Sequence, residues 1–393
     1  MGRIVGLTGD ETAAEVMRQI NPDVLAAYPI TPQTETVQRF SEFVADGKVS
    51  TEMVRVESEQ SAMSACIGAA AAGARAMTAT SANGLALMWE IVYIAASCRL
   101  PIAMVVVNRA LSGPINIHCD HSDSMGARDS GWIQIYSENC QEIYDNLIQA
   151  VRIGENREVL LPVMVTFDGF IISHCTERLE LLEDKKVRDF VGEYKNSYPL
   201  LNVDNPITYG PLDLFDYYFE HKRQQIEAME KVPQVIQRVG EEFEKLSGRT
   251  YSLMEEYKTE DADFILVAAG STAGTVKTAI EELREEGIKA GLLKIRVFRP
   301  FPVAKICQVL KKAKAVAVLD RSASFGAQGG PIFLEVRSAL FGEERKLPVI
   351  NYIYGLGGRD ISIEQIKGVY RNLQKIADTG KVKKLVDCIG LRE

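Results

Sequence analysis

Apolar runs of six or seven residues recur through the first half of the chain: VLAAYPI at 24–30, MVRVES at 53–58, RAMTATS at 75–81, IAMVVVN at 102–108 and PVMVTFD at 162–168. Helix-like spacing separates them. Runs this short and this continuously apolar predict strands buried on both faces, and their alternation with helices predicts a parallel sheet. SEQSAMSACIGAAAAGA at 58–74 is the helix between the second and third strands, its small side chains allowing close approach to the sheet. The most apolar passage, 84–107, is long enough to span a bilayer but contains Glu90, Arg99 and Pro101. It divides instead into an all-round-buried helix at 83–98 and the strand after Pro101.

From about 170 to 210 the periodicity fades and Pro199, Pro206 and Pro211 interrupt the chain. Apolar positions 215, 219, 226, 229, 236, 243 and 246 then predict one or two amphipathic linker helices, kinked or split by Pro233. A second, smaller block begins at ADFILVAAG (262–270), continues through a helix in TVKTAIEELREEGIKA, and returns to strands at GLLKIRVF, AVAVLDR and PVINYIYG. It too is expected to be parallel. The fold class is therefore α/β with two parallel-sheet domains: residues 1–195, a linker over 196–255, and residues 256–393.

A net charge of −8 disfavours nucleic acid and anionic membranes as partners. Seven cysteines never form a C-x-x-C pair, so neither a zinc ribbon nor an iron–sulfur ligand loop is written here, and any redox metal is expected on another chain. Scattered cysteines, with no cationic-then-apolar leader at MGRIVGLTGD, predict a reducing cytoplasm. Phosphate loops are also wanting. GSTAGT (270–275) lacks the dinucleotide spacing, and GLGGRD (355–360) reads as a tight turn needing positive φ. GDET at Gly9 lacks the last glycine of a GDG thiamine diphosphate signature, and Asp10 is expected as a helix N-cap. HCDHSD (118–123) offers two histidines but no further ligand at defined spacing, so no metal is assigned to this chain. No G-x-S-x-G elbow suggests a nucleophilic serine.

What remains is a set of polar residues at strand ends, where parallel sheets form their binding crevice. Thr31 follows the first strand, Glu59 the second, Ser81 and Asn83 the third, Arg109 the fourth. Each alone is as well explained by a helix cap or a surface ion pair. Together they form a pocket edge suited to an anionic organic substrate held by Arg109.

AAYPITPQTE, VESEQSAMSACIGAAAAGAR, NRALSGPINIHCDHSDSMGARDSGW, RVFRPFP and YIYGLGGRD together resemble the α subunit of multi-subunit pyruvate:ferredoxin oxidoreductases, in the 2-oxoacid:ferredoxin oxidoreductase family. The likeness runs over nearly the whole chain. It implies a pyrimidine-side thiamine diphosphate domain, a transketolase C-terminal-like domain, and oxidative decarboxylation of pyruvate with CoA to acetyl-CoA and CO2. Electrons pass to ferredoxin. The implied β chain carries the diphosphate, Mg2+ and the nearest [4Fe-4S] cluster, with γ and δ chains completing the complex. Other 2-oxoacids, 2-oxoisovalerate or 2-oxoglutarate, are the alternative substrates.

The resemblance aligns Glu59 with the glutamate that bonds the cofactor's aminopyrimidine N1′ and so promotes loss of the thiazolium C2 proton; Glu57 is the poorer match. Glu59 should then lie buried at an interface. Thr31 matches the donor to the substrate carboxylate, with Pro29 and Pro32 stiffening its corner, and Arg109 would grip the same carboxylate through its planar fork. Pro29, Ser81 and Asn83 are expected to line the cofactor site. Residues 118–123 would form a loop beside the pocket, shaping it or contacting CoA, and RVFRPFP a turn that packs the domains together. Gly113 stands where many relatives are expected to have alanine, which bears on pocket volume. Two other classes are weighed: a silent assembly subunit, disfavoured because Glu59, Thr31 and Arg109 are all present, and a transketolase-like enzyme, which would carry its diphosphate motif on the same chain.

Overall fold

The structure is a computed structural model and describes residues 2–392. Its larger sheet has seven strands: β2 (Val24–Ala27), β3 (Glu52–Arg55), β4 (Ala76–Thr80), β5 (Ala103–Asn108), β6 (Ile133–Tyr136), β7 (Val163–Asp168) and β12 (Val297–Arg299). They lie in the order β12-β6-β7-β5-β4-β2-β3, parallel except for β12. All six residues of β5 and all six of β7 are buried, as strands covered on both faces require. Because β3 and β4 flank β2, the chain reverses its winding there. The crevice expected at such a switch opens at the carboxyl ends of β2 and β4.

Two short strands, β1 (Arg3–Leu7) and β8 (Glu177–Leu181), pair antiparallel beside this sheet. The second sheet contains β9 (Met254–Tyr257), β10 (Phe264–Ala268), β11 (Ala290–Ile295), β13 (Ala315–Asp320), β14 (Val349–Ile353) and β15 (Val386–Cys388). Its order is β15-β14-β13-β10-β11-β9. It is not wholly parallel as expected: β9 runs antiparallel to β11.

The small-residue helix Glu59–Ala72 starts at Ser58, whose Oγ accepts Ser61 N–H at 3.2 Å, and ends at Gly73 with φ 111°. Ala62, Met63, Cys66 and Ala70 bury its inner face against Ala26, Ala76 and Met104 of the sheet. Other elements correct the sequence reading. Thr8, not Asp10, caps the helix Gly9–Ile20 in a reciprocal capping box with Glu11, and Asp10 is buried inside the first turn. The helix expected over 83–98 is two helices, Ala82–Leu87 and Trp89–Ser97, meeting at Met88. Nor is it buried all round, since Leu87, Trp89 and Ile94 are exposed.

Pro233 does not split the linker. Tyr218–Ser247 is one 30-residue helix, and Val232, Ile236, Val239 and Phe243 bury it in the first domain's core, so it belongs to that domain. GLLKIRVF is also two strands, because the chain leaves β11 at Arg296 and β12 crosses to pair with β6. Arg296 is buried at this crossing, donating to Asn146 Oδ1 (2.8 Å), Ser252 O (2.9 Å) and Gln149 Oε1 (3.3 Å). GLGGRD is the tight turn its glycines predict, with φ of 65° at Gly355, 61° at Gly357 and 81° at Gly358.

Candidate active site

The carboxyl ends of β2, β4 and β5 bring the predicted residues together in two linked groups. In the first, Glu59 opens its helix with 6% of its surface exposed. Among the described residues no hydrogen-bond donor reaches its carboxylate. Gly84 explains the close packing around it, because a Cβ there would lie 2.7 Å from Glu59 Oε1 and 2.5 Å from Thr80 Oγ1. The Thr80 hydroxyl is buried and itself unpartnered. A carboxylate of a largely buried residue that opens into a strand-end crevice without a protein donor is the feature an aminopyrimidine N–H would complete, so the residues present fit that half of thiamine diphosphate. Glu57, by contrast, is exposed and takes the Ser61 hydroxyl.

In the second group Arg109 donates through Nη1 to Thr31 O (2.9 Å) and through Nε to Asn116 O (3.0 Å). The expected free fork is thus partly occupied, and Nη2 is the edge left without a protein acceptor among the described residues. Thr31 is exposed and contributes its carbonyl to Arg109, which leaves its hydroxyl to solvent or substrate; Pro29 is exposed in the same corner. Ser81 and Asn83 both have partners within the protein. Ser81 Oγ donates to Val107 O (2.6 Å), tying β4 to β5, while Asn83 exchanges hydrogen bonds with Ser112 at 2.5 and 3.1 Å.

Two residues that sequence reasoning missed hold the groups in place. Gln33 is fully buried, takes Ile30 N–H (3.2 Å) and donates to Ala79 O (2.8 Å), so it pins the Thr31 corner across the crevice to β4. One oxygen of Asp123 accepts both Ala82 N–H and Arg109 N–H, each at 3.0 Å, joining the Gly84 helix to the Arg109 loop. Burial pushes the Asp123 carboxyl up to about 6, although its hydrogen bonds pull the other way. The proton that the folded state retains stabilises the fold fully below the ordinary value of about 3.9. That contribution is lost as pH rises through about 6. Asp123→Asn is therefore expected to flatten the fall in Tm over this interval, checked by thermal unfolding on both sides of it. Gly84→Ala should displace Glu59, cutting turnover about tenfold to a hundredfold and lowering stability, and with it Tm, by the roughly 1–3 kcal/mol typical of an overpacked site, checked by the viologen assay and a melting curve.

Where the second sheet's carboxyl ends meet the first, Asp168 at the end of β7 is enclosed. His121 Nε2 lies 2.7 Å from its Oδ1, and Arg321 Nη1 donates to its Oδ2 at 2.8 Å. Ser271 adds its N–H at 3.1 Å and its hydroxyl at 2.5 Å. Burial favours the neutral acid, but the facing His121 and Arg321 charges outweigh it and hold this carboxyl well below the usual range. The 118–123 loop thus lies between the domains, with His121 buried in their junction and Asn116 reaching Gly357 O at 3.2 Å.

Residues 15–241 match the family model "pyruvate flavodoxin/ferredoxin oxidoreductase, thiamine diP-binding", and residues 262–366 match "pyruvate:ferredoxin oxidoreductase core domain II". The chain belongs to the pyruvate:ferredoxin oxidoreductase family. Among relatives, a pyruvate synthase subunit PorA of Thermotoga maritima is 58% identical over 99% of this chain and 98% of its own length. That of Methanocaldococcus jannaschii is 49% identical, with 98% of each chain covered. A 2-oxoglutarate:ferredoxin oxidoreductase structure from Magnetococcus marinus aligns with a TM-score of 0.73 at 22% identity, over 94% of this chain and 65% of that one. Both family domains have the α/β architecture the apolar runs predict, and the first is of thiamine diphosphate-binding type. Among the described residues no helix is long and apolar enough to cross a membrane.

Proposed function

We propose that this chain is the α subunit of a pyruvate:ferredoxin oxidoreductase, working with β, γ and δ chains to convert pyruvate and CoA to acetyl-CoA and CO2. Two electrons pass through [4Fe-4S] clusters on the partners to ferredoxin. The observation that carries this reading is Glu59, a buried carboxylate with no donor of its own beside a glycine that makes room for it. Thiamine diphosphate, when bound, supplies the carbon nucleophile and the electron sink for decarboxylation. Glu59 accepts the pyrimidine N–H and holds the proton balance of that ring in a water-poor setting. Arg109 Nη2 and the Thr31 hydroxyl take the substrate carboxylate, kept in place by Asp123 and Gln33. The diphosphate and Mg2+ fall to the β chain, since no GDG stretch occurs in this sequence. Exposed Leu87, Trp89, Leu111, Ile115 and Ile117 on the loops and helices after β4 and β5 support a protein interface there. Seven free cysteines support a reducing cytoplasm.

An anaerobic assay of the purified complex with CoA and a viologen acceptor tests the reading. Pyruvate is expected to give a higher kcat/KM than 2-oxoisovalerate or 2-oxoglutarate. A higher value for either competitor would reassign the substrate, and activity from a colourless homodimer would remove the iron–sulfur partners.

A further inference from the structure

We propose that Asp10, Glu35 and His174 form a divalent-cation site, separate from Glu59 and from the Mg2+ assigned to a partner. Asp10 sits in the first turn of the helix Gly9–Ile20 with no exposed surface. Its Oδ1 accepts the Thr36 hydroxyl at 2.9 Å, but its buried Oδ2 has no partner. That open oxygen faces His174, whose Nδ1 is 3.6 Å away, and His174 Nε2 lies 4.0 Å from Glu35 Oε1.

The carboxylates of Glu35 and Glu11 add to burial in opposing the ionisation of Asp10. Apart from the His174 ring at 3.6 Å, no basic side chain approaches Asp10 Oδ2 among the described residues, so an ionised Asp10 is costly unless further positive charge is supplied. The two helix N-termini, at Gly9 and Thr34, ease the burden but do not neutralise three acids.

The geometry accepts an ion with small adjustment. One donor atom from each of the three residues lies within 4.8 Å of the others. A first-row cation at about 2.0–2.2 Å from each donor draws such atoms to roughly 3–4 Å. Glu35 is half exposed and can rotate to close the difference, and water can fill the outer positions. The imidazole is already oriented: Ser173 Oγ accepts Phe170 N–H at 2.8 Å and lies 2.7 Å from His174 Nδ1, which leaves Nε2 as the ligating nitrogen, and the Phe170 ring centroid is 4.7 Å from that of His174. Two carboxylates and one imidazole favour Mn2+ or Zn2+ over Ca2+. The ion would join three elements: the first helix, the helix Thr34–Ala45 that follows the Thr31 corner, and the turn after β7.

The test uses the full-length chain stripped with EDTA and titrated with MnCl2, free Mn2+ being followed by electron paramagnetic resonance, with ZnCl2 calorimetry in parallel. One equivalent is expected to bind and to raise Tm. His174→Ala and Glu35→Gln, both at partly exposed positions, should each weaken binding tenfold or more with native circular dichroism. A wild-type chain that binds neither ion would overturn the site. Binding unchanged in both variants would overturn it equally, by locating the ion elsewhere.

Discussion

Glu59→Gln in the assembled enzyme is expected to reduce turnover with pyruvate by about 10²–10⁴-fold, the range for loss of one positioned acid–base group. Glutamine keeps the size of the side chain and an acceptor oxygen but gives up the charge and the capacity to exchange a proton with the ring. Because no described residue donates to this carboxylate, the substitution removes no internal hydrogen bond and Tm should stay near that of the parent. Anaerobic viologen reduction and a melting curve on the same preparation check both halves. Normal turnover would show that the buried acid does not serve the reaction.

Asp168→Ala should act in the opposite way, on the fold before the chemistry. The substitution leaves Arg321, His121 and Ser271 facing a cavity between the two sheets, with Arg321 buried and unpaired. Removing one partner of a buried pair typically costs about 3–5 kcal/mol. That loss should appear as a lower denaturant midpoint, and as a smaller slope if the domains separate and unfold in turn. Asp168→Asn retains an acceptor and should be milder. An unchanged midpoint in the alanine variant would show that the junction is held by other contacts, such as buried Lys294 with Glu138 and Glu142.

The parallel strands were legible because continuous apolar runs of that length have few other uses. β1, β6, β8, β9 and β15 were not, and β12 was merged with β11. The missed strands are three to five residues long and carry polar or charged side chains, as in MEEY at a sheet edge and in IQIY, where buried Gln134 donates to Ser124 O. The single helix through Pro233 escaped for a tertiary reason: burial of Val232, Ile236 and Val239 outweighs the local cost of proline. Glu59, Thr31 and Arg109 stood out because chemistry at the ends of parallel strands has a known place. Gln33, Asp123 and the Asp10, Glu35 and His174 cluster gave no such signal, since the contacts that place them, such as Gln33 with Ala79, Asp123 with Ala82 and Asp10 with His174, join residues far apart in sequence. Asp168 and Arg321 did carry one, ending PVMVTFD and AVAVLDR, and the rule that found Arg109 applied equally to them.

β12 has a consequence for anyone dividing this protein. Although it lies deep in the C-terminal half, it forms the outer strand of the N-terminal sheet, beside β6. A fragment ending near residue 250 would present the backbone amides and carbonyls of β6 bare to other molecules, an invitation to intermolecular pairing. The two halves should therefore be produced as one polypeptide. During synthesis, the first sheet must wait for nearly 300 residues to be made before its border is closed.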